Sequence, residues 1–187
     1  MAGHTGDVPT VVDALTHDAP EVRVIALGAA ARLDILDHDR LAAGLADPDL
    51  DVRYRAVELA ARVPAGTALA DRLIDALDDP GLREVAAFAL GELVLTGTTE
   101  TRAIAALGHQ AGTDEDALAR ESAVAALGAL GAGLEYILAA TEDVAAVRRR
   151  AVLALAPFDG AEVDAALTRA LNDRDWQVRQ AAEDLLD

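Results

Sequence analysis

Three groups of residues in this chain have types and spacings that could carry chemistry. Six arginines recur along it, at Arg23, Arg53, Arg83, Arg120, Arg148 and Arg179. A column of guanidinium groups can grip carboxylates or anionic ligands through paired hydrogen bonds. Asp47, Asp49 and Asp51, with Glu58 eleven residues after Asp47, stand close to the spacing of a calcium loop. Four histidines, at 4, 17, 38 and 109, are candidate bases or metal ligands. The carboxylate set fails as a calcium loop. Its sixth position should be glycine and is Val52, and residues from about Leu50 onward read as helix, which spreads the ligands along it. The histidines fall beside Thr5, Asp18, Asp39 and Gln110, near expected helix ends where polar residues are ordinary. Cysteine is absent, which removes disulfides, thiolate metal sites and thiol nucleophiles. No G-x-S-x-G, no phosphate loop and no G-x-G-x-x-G occurs. No catalytic, cofactor-binding or metal-binding residue is expected, and the chain does not read as an enzyme.

The arginines make sense through the elements that position them. Val22-Arg23 is followed by Ala26, Ala29 and Ala30, and Val52-Arg53 by Ala56, Leu59 and Ala60. Leu82-Arg83 precedes Ala86, Ala89 and Leu90, and Ala119-Arg120 precedes Ala123, Ala126 and Leu127. Val147-Arg148 and Val178-Arg179 repeat the pattern with Ala151, Ala154 and Leu155, then Ala182, Leu185 and Leu186. Successive arginines lie 30, 30, 37, 28 and 31 residues apart. Counted from each Arg, positions −1, +3, +6 and +7 share one side of a helix and form an apolar stripe that must face a core. Each motif follows an acidic, turn-like stretch such as Asp47-Pro48-Asp49 or Asp173-Arg174-Asp175. Asp favours the N-cap and the positive end of the helix dipole, so each motif starts a helix. Shorter amphipathic segments precede them at 11–17, 40–46, 69–77, 101–107, 134–140 and 163–171. The unit is a helical hairpin, which cannot bury its apolar face alone and must stack.

Six near-copies of Asp, then Val-Arg-x-x-Ala-x-x-Ala-Leu-Gly, resemble the short HEAT-like repeat of phycobilin lyases. The resemblance covers nearly the whole chain. It implies an all-α, right-handed α-α superhelix of about six hairpins in a single domain, 1–187. The repeats would run roughly 8–35, 36–63, 64–95, 96–131, 132–158 and 159–187. It also implies that Arg23, Arg53, Arg83, Arg120, Arg148 and Arg179 form a structural ladder, pairing with the Asp at the turn of their own or the adjacent repeat. Some HEAT-like proteins are enzymes. The deoxyhypusine hydroxylase type binds two irons through His-Glu pairs, and no such pair occurs here. The alkylpurine DNA glycosylase type needs a basic face. The phycobilin-lyase type would hold a chromophore in its groove, and a small-molecule or chromophore-handling role stays open as the alternative.

Charge narrows the partners. The formal net charge is −17, and acidic residues divide evenly between the halves. All 16 basic residues are arginine. A GC-rich genome and a high-salt cytoplasm would each produce that composition. Duplexes and membrane surfaces reward basic clusters, so neither nucleic acid nor membrane is an expected partner. The opening residues lack the basic and apolar regions of a secretion signal, which points to a cytoplasmic protein.

The expected function is a non-catalytic scaffold that binds another protein in its concave groove. The chain itself would be a monomer or weak homodimer. In such solenoids the second helices line the groove, and positions +1 and +5 from each Arg point into it. Those columns nominate Tyr54, Glu58, Glu84, Phe88, Glu121 and Arg149. Tyr54 and Phe88 either anchor a partner or pack on a neighbouring repeat. The three glutamates would make the groove acidic, for which a basic or amphipathic segment is the natural complement. Arg149 and Arg150 extend Arg148 into the one basic run, read either as a solvated face or as an acidic-partner contact. The excess length of the fourth repeat, 108–116, reads as a loop. Trp176 is expected to anchor the last helix start in the terminal core.

Overall fold

The computed structural model describes residues 7–186; His4 and the opening segment lie outside them. Among the described residues the chain is all-helical, in six successive helix pairs. These are α1 (Val8–Ala14) with α2 (Pro20–Arg32), α3 (His38–Leu45) with α4 (Leu50–Ala60), and α5 (Ala70–Asp75) with α6 (Arg83–Glu92). Then follow α7 (Gly97–Thr113) with α8 (Ala117–Leu130), α9 (Leu134–Ala140) with α10 (Ala145–Ala154), and α11 (Ala161–Ala170) with α12 (Trp176–Leu186). Short 3₁₀ turns at Pro64–Leu69 and Ala76–Asp78 flank α5. The chain divides into two compact units, Met1–Ala89 and Leu90–Asp187. Within the first, α2 packs on α4; within the second, α10 packs between α8 and α12.

Local chemistry sets the helix starts. The Asp49 side chain accepts from the Asp51 and Val52 N–H groups, and Asp116 accepts from Leu118 N–H. Pro20 opens α2, where its missing N–H costs nothing. Gly131 ends α8 at φ 62°, with its N–H on the Gly128 carbonyl and the Ala132 N–H on the Leu127 carbonyl.

The core is built from Ala, Leu and Val. Ala56, Ala86, Ala123, Ala151 and Ala182, all at position +3, are fully buried. Small residues let the second helices touch. A Cβ on Gly128 would lie 2.7 Å from the Ala154 Cβ and 2.8 Å from its Cα. The buried arc is wider than the sequence stripe. Position +4, filled by Leu27, Val57, Ala87, Val124 and Val152, is also closed to solvent. At about 100° per residue the five buried positions span roughly 160°, and the ladder arginine falls inside that arc. A second helix is covered by its own first helix and by its neighbours in the stack, so one stripe cannot describe it.

Three expectations are corrected. Of the extra residues of the fourth repeat, 108–113 are helix and only 114–116 are turn: α7 runs for 17 residues, and Gln110 and Ala111 within it are buried. The ring of Tyr136 lies where a Cβ on Gly108 would be, 2.5 Å away, so that glycine is a packing position inside a helix. Trp176 is not in a core; it opens α12 and is 64% exposed. The first helix begins at Val8 rather than Val11, because Pro9 starts it, and His17 belongs to the turn.

Candidate interaction surface

Each ladder arginine lies in the first turns of a second helix, and the heads of Arg23, Arg53, Arg120 and Arg148 are fixed at two edges. Arg23 Nε and Nη2 donate to the two oxygens of Asp47 at 2.8 and 2.7 Å, while Nη1 donates to the carbonyls of His17 and Asp18. Arg120 holds Asp143 by the same fork, 2.7 Å on both arms, with Nη1 on the carbonyls of Asp114 and Glu115. Arg148 holds Asp173 at 2.8 and 2.7 Å, with Nη1 on the Asp143 carbonyl at 2.7 Å. Arg53 reaches Asp79 by one arm only, at 3.3 Å. Arg179 uses Nη1 on the carbonyls of Asp173 and Arg174. In Arg23, Arg53, Arg120 and Arg148 one edge therefore closes the turn of the arginine's own hairpin, and the other grips the turn of the next. The gripped Asp also accepts a backbone N–H: Asp49 for Asp47, Gly81 for Asp79, Val144 for Asp143 and Asp175 for Asp173. In the first hairpin His17 stands in that place, and its Nδ1 accepts from Ala19 N–H at 3.0 Å.

The charges respond to this geometry. The Arg23, Arg120 and Arg148 guanidiniums, hydrogen-bonded to Asp47, Asp143 and Asp173, hold those carboxyls below the usual carboxylate range, against the opposing effect of partial burial. These groups are saturated by one another.

The outward columns are different. Tyr54 and Phe88 are 47% and 48% exposed. Glu84 and Arg149 are half-buried. Glu58 is tied to Arg55 in its own helix at 2.6 Å and to Arg62 just past the helix end at 3.5 Å. Glu121 receives Arg150 from the following second helix at 3.2 Å. Two of the three glutamates expected to make this face acidic are thus neutralised locally, and Arg150 is spent on Glu121. Tyr54, Glu58, Glu84 and Phe88 belong to the first unit; Glu121 and Arg149 belong to the second. Among the described residues no group of three or more His, Asp or Glu side chains could hold a metal ion, and no helix is long and apolar enough to cross a membrane.

Residues 38–128 match the family profile described as HEAT repeats. Those residues, just under half of the chain, carry HEAT-like repeats. No curated protein matches it by sequence. Among solved structures it is similar to the X-ray structure of YibA from Escherichia coli. That similarity, at 19% identity, covers 85% of this chain and 73% of that one, with a TM-score of 0.42. HEAT repeats generally mediate protein–protein contact, which turns attention from the satisfied ladder to whatever these hairpins leave exposed. Ile25, Leu118 and Val144 escaped the sequence reading, and Trp176 was expected in a core. Ile25, at position +2 of α2, is 69% exposed. Leu118, Val144 and Trp176 are exposed at the starts of α8, α10 and α12. Position +2 lies only about 40° outside the buried arc, and Val85 and Ala181 in the same column are buried, so periodicity did not single out Ile25. Leu118 and Val144 lie outside the periodic stretch and were not singled out either.

Proposed function

We propose that this HEAT-like protein is a non-catalytic scaffold that binds a partner protein on the face formed by its second helices. Tyr54, Glu58, Glu84 and Phe88 would supply the contacts of the first unit, and Glu121 and Arg149 those of the second. The observation that carries the reading is the pair Tyr54 and Phe88. Each leaves about half its surface in water on a helix whose opposite face is buried in the core. Large half-exposed aromatics are typical interface anchors. Since Glu58 and Glu121 are already ion-paired, aromatic contact carries more of the affinity than acidity does, and the partner segment is amphipathic with a basic flank opposite Glu84.

The test is affinity capture with the full chain, wild type beside Tyr54→Ala/Phe88→Ala, in native extract. A protein retained by the wild type and lost by the variant supports the proposal. Capture of nothing above background, or the same proteins with both baits, overturns it.

A further inference from the structure

The last two hairpins leave a cleft between them. Their second helices, α10 and α12, are packed together, but their first helices, α9 and α11, scarcely touch. The cleft has a volume of about 400 Å³. Small-molecule sites commonly enclose about 300–1,000 Å³. Its floor is apolar, formed by Val152 of α10, Ala166 and Ala170 of α11 and Val178 of α12. Arg148 and Asp173 reach it too, but they are spent on each other. Arg169, in the last turn of α11, and Arg174, in the turn before α12, also line it, and both are exposed. Among the described residues neither side chain makes an ion pair or donates a hydrogen bond, and Arg174 acts on Asp173 only through space.

Two unpartnered cations in one cleft stand out in a chain of net charge −17. The repeat does not ask for them. Arg169 stands four residues before the gripped Asp173, where Ala43, Asp75 and Ala139 precede Asp47, Asp79 and Asp143. Arg174 stands one residue after Asp173, where the same three carboxylates are followed by Pro48, Pro80 and Val144. The cleft between the first two hairpins shows the contrast. It has Leu27 and Val52 in the register of Val152 and Val178, but its volume is about 270 Å³, and its Arg40 is committed to Asp37 and the Ile35 carbonyl.

We propose that the cleft between the last two hairpins binds a small aliphatic monocarboxylate. The guanidiniums of Arg169 and Arg174 take the carboxylate, whose geometry their planar donor forks match. The methylene chain lies on Val152, Ala166, Ala170 and Val178 and leaves water there. Charge sets the number of anionic groups on the ligand. Asp143 and Asp173 are neutralised by Arg120 and Arg148, so the two unpartnered arginines face one further acid in the cleft, the exposed Glu142. The balance is a single positive charge, which one carboxylate matches and a dianion exceeds. None of these residues belongs to the proposed partner surface.

The test is calorimetric titration of the full chain with octanoate, beside octanol, octylammonium and inorganic phosphate. One octanoate per chain is expected, bound more weakly as salt rises. A chain of net charge −17 repels anions as a whole, so preference for octanoate over octylammonium reports a local cationic site. Arg169→Ala/Arg174→Ala should lose about tenfold or more in affinity, since charge-assisted hydrogen bonds to the carboxylate go. Both side chains are exposed, so this variant should keep the wild-type melting curve. Arg32→Ala/Arg62→Ala makes the same change of charge at exposed sites of the first unit and should bind as the wild type does. Tyr54→Ala/Phe88→Ala should do so too, which keeps this result independent of the scaffold test. Absence of saturable octanoate binding at millimolar concentration overturns the proposal. So does equal binding of octanol or phosphate, tighter binding of octylammonium, undiminished affinity in Arg169→Ala/Arg174→Ala, or an equal loss in Arg32→Ala/Arg62→Ala.

Discussion

Replacing Arg148 by alanine tests the ladder where it is most enclosed. The residue is 6% exposed, and the substitution removes two short hydrogen bonds to Asp173 and one to the Asp143 carbonyl. It leaves Asp173 as a half-buried carboxylate with its cation gone and only the Asp175 N–H remaining. Hydrogen bonds to charged groups contribute about 1.5–3 kcal/mol each when a partner is lost. Breaking a fully buried ion pair costs about 3–5 kcal/mol. The Asp173 side chain keeps 15% of its surface in water, which lets solvent recover part of that loss. The expected destabilisation is therefore about 2–3 kcal/mol. Arg149→Ala, one residue along and outside the buried arc, should stay within about 0.5 kcal/mol. Both are measured by urea unfolding followed by far-UV circular dichroism, with Trp176 emission reporting the last hairpin. Equal stability of the two variants would refute the argument that the ladder joins the repeats. Because repeat arrays can unfold in parts, loss of the transition's single step in Arg148→Ala alone would support it.

Three further outcomes follow from the same geometry. The folded pKa values of Asp47, Asp143 and Asp173 lie below their unfolded values. Their contribution is therefore complete above the unfolded carboxylate value of about 3.9 and is lost as pH falls through the depressed folded values. Melting temperatures should fall steeply in that acid window, and Asp173→Asn should flatten the slope. Gly128→Ala should destabilise by about 1–3 kcal/mol, since the new methyl meets the Ala154 backbone of the next second helix rather than a movable side chain. Gly131→Ala should cost about 1 kcal/mol in a denaturation series for a different reason: nothing lies within 4 Å of the added Cβ, and the penalty comes from φ 62° alone.

The hairpin repeat and its ladder were legible in the sequence because one position does several jobs at once. An arginine inside a buried arc must satisfy its donors, and only a few neighbouring residue types allow that, so the pattern recurs. Position +4 was missed because apolar residues of varied size serve there equally well, and no single letter repeats. The helical course of 108–113 was hidden by Gly108 and Gly112, which read as a loop; the approach of Tyr136 to Gly108 and the burial of Gln110 override that propensity. Trp176 was misplaced because large apolar character was equated with burial, although it precedes the periodic stripe. The candidate surface was legible as a face and not as a charge. Glu58 and Glu121 stand out as acids in the sequence, and only the fold brings Arg150 onto one and closes Arg55 and Arg62 around the other.

The direction of the ladder has one more consequence. Hairpins such as α9–α10 carry an acceptor, Asp143, for the arginine before them and a donor, Arg148, for the turn after them. The head and tail of such a unit are complementary to each other as well as to its neighbours. A copy of one inserted beside the original would find both partners already in place, and its removal would let the flanking pair join. The array can therefore lengthen or shorten by whole hairpins through duplication and deletion without stranding a charge. His17 marks where that grammar changes, since its ring supports the backbone of the turn without offering a carboxylate to be gripped.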